Sequence, residues 1–451
     1  MRLLILTPEY DGSGGGIMTF YQALVPALQN AGASVRVIEG SAFHSASDNS
    51  VRWPNGTRVE TLEQDRLHRW HARFGHLSAT PGLRRYLAAA WAMWEQAGFG
   101  EDVDIVEACD WGLLFVPPAM DAARPLLVQC HGSAGQISEH DPMTGEETQD
   151  TLIRLLERMI LSEVDALQTS SCTNALYWRE NTRRNVSSIL PAWAEPLTEP
   201  VQTLSGRGLV LGRLQRWKGP QVLCDALEFL GRRAPVIDWI GRDTPWGTRN
   251  GSTADHLSCA YPDIWAKRIV HHRPVAAAEA HRRQACALFN VVPSTWDVFN
   301  FTAVEAMASG RPAIVSTGAG AGELIEDGVN GYVFPAGDAE TLAAKIDRIL
   351  SEGHDRHAEI GRAARETIRH ALDPATIAAQ RLAVYHATID RFRSDKAPSC
   401  SPFGEICRPK DCPAVDDGAF LEQVPLRTLV RHVIKRSGKK AHLSARAGVA
   451  K

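Results

Sequence analysis

Two Rossmann-like α/β domains are the architecture that this 451-residue chain predicts, and three stretches carry the prediction. Residues 2–38 read as strand, glycine-rich loop, helix and strand, the opening unit of a doubly wound parallel sheet. A fresh strand-and-helix unit begins at Gly208, after a proline-bearing stretch that suits neither helix nor strand. From Ala287 to Phe334 the pattern runs strand, loop, helix, strand, glycine loop, helix, turn and strand, with acids at two junctions. The chain therefore divides into a first domain at 1–190, a linker at 191–205 and a second domain at 206–372. A helix within 373–396 and a basic tail at 397–451, partly without fixed structure, complete it.

In order, residues 2–6 and Ala33 to Ile38 are buried strands. The helix between them places Ile17, Phe20, Tyr21, Leu24 and Leu28 near a 3.6 period. Pro26 is expected to kink it after Val25, and Ala31-Gly32 to end it. Residues 41–80 show little periodicity and read as loops and turns. Pro81 to Gln96 is helical, and Asp104 to Ala108 ends a strand leading into Cys109-Asp110-Trp111-Gly112. Leu126 to Cys130 is a central strand delivering His131-Gly132-Ser133 at its carboxyl end, with Glu139 and His140 on the loop beyond. Thr151 to Ser162 is an amphipathic helix and Asp165 to Gln168 a strand. Ser170 to Thr173 caps the next helix, and Val186 to Leu190 closes the first domain.

In the second domain Leu209 to Leu211 is a strand ending at Gly212-Arg213. Lys218-Gly219-Pro220 opens a helix with Val222, Leu223, Ala226, Leu227 and Leu230 on one face. Val236 to Ile240 and Arg268 to Val270 are strands, and Glu279 to Ala285 a short helix. Ala287 to Val292 is a strand stopped by Pro293-Ser294. A helix from about Thr302 carries Glu305 in its first turn and closes at Ser309-Gly310. Ala313 to Ser316 is a strand leading to the glycines of 318–322, and a new helix opens with Glu323. Ala339 to Leu350, His354 to Arg369 and Ala375 to Arg391 are helices, the last capped by Asp373-Pro374.

Composition narrows the function classes. Apolar content of 44% and charged content of 22% are those of a soluble globular protein. A net charge of −3 gives no overall push toward nucleic acid. No uncharged apolar run approaches the ~18 residues of a membrane span, and Leu3 to Leu6 is too soon charged for a signal peptide. The nine cysteines are mostly scattered singly, as expected of reduced thiols in a cytoplasm. Cys400, Cys407 and Cys412 have irregular spacing and no fourth ligand, so no metal site is expected.

Glu39 stands where dinucleotide enzymes keep a ribose-binding acid. The loop before it argues otherwise, because Gly12, Gly14, Gly15 and Gly16 do not spell G-x-G-x-x-G. Gly14, Gly15 and Gly16 instead allow close approach of a ligand to the backbone. His131, at a strand end before glycine, is either a satisfied structural histidine or a group on the ligand-facing edge. Arg213 and Lys218, two cations at the same kind of edge, need an anion if they are not simply solvated, and a diphosphate supplies one.

Asp297 and Glu305 are eight residues apart, ~12 Å along one continuous helix and on different faces. With Asp297 on the loop and Glu305 on the helix, they reach opposite ends of one elongated ligand. Between them the helix N-terminus offers N–H groups to an anion. Acid, anion hole and acid fit a nucleotide sugar, with sugar hydroxyls, diphosphate and ribose in turn. A capped surface helix with two solvated acids is the alternative these residues leave open.

Pro293-Ser294, Asp297, Phe299, Glu305-Ala306-Met307-Ala308, Gly310-Arg311-Pro312 and Gly328-Val329-Asn330-Gly331-Tyr332-Val333 resemble the donor-site segment of the family 4 retaining glycosyltransferases. Gly212-Arg213 through Lys218-Gly219 resembles that family's diphosphate-holding segment. Two positions depart from its pattern: Asp297 replaces the first glutamate of Glu-x7-Glu, and Asn300 replaces the usual glycine after the phenylalanine. The resemblance covers most of residues 1–395. It implies the GT-B architecture, two facing domains with the site in the cleft, and a last helix crossing back onto the first domain.

The resemblance also implies transfer of a sugar from a nucleotide-sugar donor to an acceptor hydroxyl on a glycan, glycolipid or small molecule, as in polysaccharide biosynthesis, with retention. No cofactor and no metal are then expected, since Arg213, Lys218 and the helix N-terminus would hold the leaving diphosphate. Glu305 would bind the ribose. Asp297, Asn300, Phe299, Thr302 and Gly212 would line the donor, and His131 would face the donor sugar from the opposite domain. Two other readings are a nucleotide-sugar epimerase of the same architecture and a non-catalytic nucleotide-sugar-binding subunit, the latter motivated by Asp297 and Asn300.

The tail carries an apolar stripe at Leu426, Leu429, Val430, Val433 and Ile434. Arg427, Arg431, Lys435, Arg436, Lys439, Lys440 and Arg446 accompany it, and no acid follows Glu422. A basic amphipathic helix over 426–446 lies on an anionic membrane, docks on an acidic partner or packs on the protein's own body. The expected location is the cytoplasm, peripheral to the inner face of the membrane if lipid is the tail's ligand.

Overall fold

The apolar runs become short parallel strands, and their carboxyl ends carry nearly every residue of interest. The structure is a computed structural model and describes residues 1–12, 15–47, 51–143, 146–194, 205–247, 251–392 and 404–410, with Arg427, Val430, Arg431 and Ile434 beyond them.

The first sheet holds β1 (Arg2–Thr7), β2 (Ser34–Glu39), β3 (Val51–Arg52), β4 (Arg58–Thr61), β5 (Ile105–Cys109), β6 (Leu126–Cys130), β7 (Ala166–Thr169) and β8 (Val186–Ser188). Their order is β3-β4-β2-β1-β5-β6-β7-β8, and only the β3–β4 pairing is antiparallel. The second sheet holds β9 (Gly208–Leu211), β10 (Ile237–Ile240), β11 (Ile269–His272), β12 (Phe289–Val292), β13 (Ala313–Ser316) and β14 (Tyr332–Phe334). Its order is β11-β10-β9-β12-β13-β14, parallel throughout. Both faces of such sheets are covered by helices, so their strands are apolar along their length. β1, β5 and β6 are buried from end to end apart from Arg2.

The two sheets meet at their carboxyl edges. Ser171 Oγ, after β7, donates to the carbonyl of Val298, after β12, at 2.7 Å. The Gln215 side chain donates to Asp141 at 2.6 Å. A Cβ on Gly16 would lie 3.8 Å from the Phe301 ring. Thus the edge where open α/β sheets bind ligands is, in both domains, the edge facing the other domain.

The last long helix, Pro374–Arg391, leaves the second domain and packs on the first helix, Gly16–Asn30, and on β6. Its Ile377, Ala378 and Tyr385 join the core that the first helix makes with β1 and β2. Arg381, 1% exposed, donates to Gln129 at 2.6 Å and pairs with Glu107. Removing one member of such a pair leaves a buried charge unpaired, at a cost of about 3–5 kcal/mol.

Several elements differ from expectation. The first helix continues through Pro26 to Asn30. Residues 41–80 contain β3, β4 and a helix at Gln64–Arg73. Glu139 and His140 are helical, in Ala134–His140, because the Ser133 side chain caps that helix by accepting from the Gln136 N–H. The helix at Thr151 begins earlier, at Glu147. The helix bearing Glu305 is Phe301–Ala308, so Glu305 falls in its second turn. No α-helix opens at Glu323; Gly320–Leu324 is a 3-10 turn. Instead, the Glu323 carboxylate accepts from the backbone N–H groups of Cys172 and Thr173, each at 2.8 Å. It thereby caps the helix Cys172–Thr182 from the opposite domain.

Part of the tail also differs. Gly404–Cys407 is a short helix on the first domain, where Cys407 is buried. Trp91 Nε1 donates to the Cys407 carbonyl at 2.9 Å, and the Lys410 N–H donates to the Arg73 carbonyl at 3.0 Å. Cys400 and Cys412 lie outside the described residues, as does most of the 191–205 linker. No helix among the described residues is long and apolar enough to cross a membrane.

Candidate active site

The second domain supplies an ion cluster at the ends of β9 and β12. Arg213 follows β9, and Lys218 ends a 3-10 turn at Arg216–Lys218. Gly219 after it has φ 73°, and a Cβ there would strike the Pro293 carbonyl, so only glycine lets the Lys218 turn seat on the β12 loop. Lys218 Nζ pairs with Asp297. The Asn300 amide donates to the same Asp297 oxygen at 2.8 Å. Asn300 itself has φ 84°. That conformation explains why glycine suits the position and why asparagine, tolerant of positive φ, replaces it.

Asn300 also caps the helix of Glu305. Its Oδ1 accepts from the Ala303 N–H at 3.3 Å and from the Thr302 hydroxyl at 2.6 Å. One N–H of the expected anion hole is therefore already taken. Glu305 is largely buried and lies 4.0 Å from the His281 ring nitrogen. The Phe299 side chain is buried in the second-domain core, so it props the loop rather than facing the cleft. Gly212 follows β9, and its carbonyl accepts from Trp239 Nε1 at 3.0 Å.

Arg213 is solvent-exposed as a residue. Desolvation by the surrounding protein lowers its pKa, opposed by Asp297, Asp141 and Glu9 and reinforced by Arg242. An arginine stays charged regardless. Glu9 belongs to the first domain, so Arg213 is within electrostatic reach of both domains.

The first domain supplies His131 at the end of β6. The ring sits edge-on to Phe20 and Tyr21, with centroids 4.6 and 5.4 Å away. Burial, reinforced by Arg381, pushes its pKa down to about 3, so it is a neutral imidazole. Its Nε2 is buried and has no hydrogen-bond partner. Gly132 has φ 110°, and a Cβ there would touch Val298 and Trp296 of the second domain. Trp296 is stacked between His140 at 4.3 Å and Trp217 at 4.5 Å. This aromatic row closes one flank of the cleft across the two domains.

Of the glycine loop, Gly15 is the N-cap of the first helix and Gly16 its first residue; Gly14 lies outside the described residues. Sequence reasoning missed Glu9. Its carboxylate lies against Gly15, where a Cβ would collide with it, and it accepts from the Met18 N–H. The chain's own acid thus takes the helix start that the glycines leave open. Burial raises its pKa. Glu39 is not a free ribose acid. It is 1% exposed, accepts from the N–H groups of Tyr10 and Asp11 at 3.0 and 2.9 Å, and pairs with Arg52. Burial opposes its ionisation, but hydrogen bonds led by His44 outweigh this and hold its pKa at about 2.

Two α/β domains thus meet edge to edge, with Arg213, Lys218 and Asp297 on one side and a neutral histidine on the other. Residues 206–352 match the model of the glycosyl transferases group 1, and residues 15–186 match the glycosyl transferase 4-like domain. The chain belongs to the glycosyltransferases of family 4 type, with two Rossmann-like domains in the GT-B arrangement. It is 32% identical over 190 residues to the D-inositol 3-phosphate glycosyltransferase of Arthrobacter sp. (strain FB24), covering 41% of this chain and 43% of that one. The match therefore spans under half the length of that relative. With the glycogen synthase of Mycobacterium tuberculosis (strain ATCC 25618 / H37Rv) it shares 26% identity over 425 residues, 86% of this chain and 95% of the relative. Sucrose-phosphate synthase from Thermosynechococcus elongatus shares the fold at TM-score 0.66 and 20% identity, covering 86% of this chain and all of that one. Anabaena HepE in complex with UDP-glucose does so at TM-score 0.59 and 17% identity, with coverage of 86% and 100%.

Proposed function

We propose that this chain transfers a sugar from a nucleotide-sugar donor to an acceptor hydroxyl, with retention at the anomeric carbon and without a metal. The observation that carries the reading is the cluster of Arg213, Lys218 and Asp297 on the edge facing His131. Departure of a nucleoside diphosphate concentrates negative charge at the leaving oxygens. Two fixed cations already in place meet that charge without reorganisation, usually the largest catalytic contribution. Glu305 holds the ribose and Asp297 the donor sugar. His131 faces the donor sugar from the opposite domain. The UDP-glucose bound by HepE supports this class of donor.

A thermal-shift screen against nucleoside diphosphates and their sugars tests the reading. A ligand at 100 times its dissociation constant stabilises the fold by ~2.7 kcal/mol. With the donor so found, Glu305→Ala is expected to raise its Michaelis constant with little change in turnover, since ribose binding is shared by ground and transition states. Absence of any shift across the panel sinks the assignment. Release of free nucleotide only in the presence of an acceptor separates transfer from epimerisation.

The tail is proposed to bind anionic lipid or an acidic partner. Arg427, Val430, Arg431 and Ile434 are helical, spaced on one face and all exposed, Val430 at 47% and Ile434 at 65%. Two apolar side chains beside two arginines form a surface suited to an anionic membrane. Truncation after Lys410, which keeps the docked Gly404–Cys407 helix, is expected to abolish sedimentation with anionic vesicles and leave transfer near normal. Equal sedimentation of both proteins would exclude lipid binding by this segment.

A further inference from the structure

Beneath the loop that carries His131 lie two buried carboxyl groups that the transfer reaction does not use. Asp110, directly after β5, is 0% exposed. Its two oxygens accept from the backbone N–H groups of His131, at 2.8 Å, and Gly132, at 3.2 Å. Glu157, on the helix Glu147–Leu161, is 1% exposed. Its two oxygens accept from the Ser133 hydroxyl, at 2.6 Å, and the Gly135 N–H, at 3.0 Å. Every backbone or hydroxyl donor along residues 131–135 that these bonds name is thus gripped from inside the first domain. The opposite side of the same loop faces Trp296 and Val298 across the cleft.

We propose that Asp110 and Glu157 are positioning residues for the transfer reaction: as carboxylates they clamp the 131–135 backbone and so fix His131 against the second domain. The claim rests on the glycosyl-transfer reading for its catalytic consequence and on the hydrogen bonds alone for the clamp.

The chemistry of the clamp is one-sided. All four bonds require an acceptor oxygen, and an ionised carboxylate is acceptor-only. Protonation turns one oxygen into a donor, and an N–H facing it loses its partner; the Ser133 hydroxyl can turn to accept, so the response to pH lies in the N–H bonds of His131, Gly132 and Gly135. Burial works in the opposite sense. It pushes Asp110 up to about 7 and Glu157 up to about 8, the latter raised further by the charge of Asp110. The groups around Asp110 are Cys109, Cys130 and His131, the thiols both pushed up by burial and the imidazole neutral. Around Glu157 stand Glu139, Tyr86 and Arg154, the last packed against Gly135. The clamp therefore engages as pH rises through the neutral range and releases as it falls.

Stability runs the other way. A carboxyl whose folded value is raised binds more protons folded than unfolded. The fold is therefore most favoured with it protonated and loses that advantage as pH rises from about 4 through the folded value. The same ionisation that orders the loop costs the domain stability.

Two measurements test the proposal. In the wild-type protein without ligand, hydrogen exchange of the 131–135 amides, corrected for the intrinsic pH dependence, is followed from pH 6 to pH 8.5. The clamp predicts at least tenfold faster exchange at pH 6, while the β6 amides stay protected at both. Asp110→Asn and Glu157→Gln are then compared with wild type at pH 8. Transfer is expected to fall tenfold or more and its acid limb between pH 6 and 8 to vanish. UDP, or whichever nucleoside diphosphate the screen selects, is expected to bind within threefold of wild type, since its cations lie on the other domain. Corrected exchange that does not change with pH overturns the clamp, as does a variant that keeps wild-type turnover and the wild-type acid limb. If a variant does not fold, the wild-type exchange decides alone. A failure of the transfer reading would show in the nucleotide screen and leave the exchange result intact.

Discussion

Arg213→Ala and Lys218→Ala are each expected to reduce turnover by about 10²-fold or more, roughly 2.7 kcal/mol of barrier. Arg213 stands exposed after β9, and its loss removes charge without disturbing a hydrogen bond to Asp297. Lys218 is different because Asp297 already neutralises it in the unliganded protein. Its replacement leaves Asp297 as an uncompensated acid beside the incoming diphosphate, so donor affinity is expected to fall along with turnover. Arg213→Lys is expected to recover only part of the loss, because an ammonium cannot reproduce the planar two-pronged contact of a guanidinium. A chelator is expected to leave the wild-type rate unchanged. A rate abolished by chelation and restored by magnesium or manganese would instead assign the leaving-group charge to a metal.

The second large effect is expected at Asp297. Asp297→Glu adds one methylene and moves the carboxylate over 1 Å further from the backbone. In the native loop one Asp297 oxygen serves both Lys218 and the Asn300 amide. The longer side chain cannot keep both partners without shifting the 3-10 turn or the cap of the Glu305 helix. Turnover on the native donor is expected to drop at least tenfold, about 1.4 kcal/mol, since displacement of a positioned group by an ångström costs up to ~10²-fold. A glutamate variant as fast as wild type on every donor tested would show that the shorter acid is not fitted to its site.

The strands of both sheets were legible because parallel strands buried on both faces read as continuous apolar runs with sharp ends. Leu126 to Cys130 and Ala313 to Ser316 have the bounds read from the sequence. The edge of the first sheet was illegible for the converse reason. β3 is two residues long and partly exposed, so it carries no pattern to find. The cations and acids of the second domain were legible because they follow strand ends at fixed short offsets. Their partners were not. The Asn300 bond to Asp297 depends on a positive φ at Asn300. Glu323 was read as the start of a helix and proved to cap one in the other domain. Glu9 was missed for a similar cause, since a capping acid normally lies within a few residues of its helix and this one reaches across the glycine loop. Such contacts are made by loops that the tertiary fold brings together, and local spacing carries no trace of them. Asp110 left a partial trace, as an acid directly after a strand, without showing which backbone it would hold.

The helix Pro374–Arg391 gives the chain a particular order of assembly. Glu107 and Gln129 belong to central strands of the first domain, yet their partner Arg381 is some 250 residues later. On a ribosome, the first domain emerges with a carboxylate in its interior and no cation to meet it. It stays incomplete until the second domain has been synthesised and the closing helix has returned. A stop or frameshift anywhere between the two removes Arg381 together with Ile377, Ala378 and Tyr385, which help to cover that part of the first domain. Completing the interior of the first domain therefore depends on the far end of the chain.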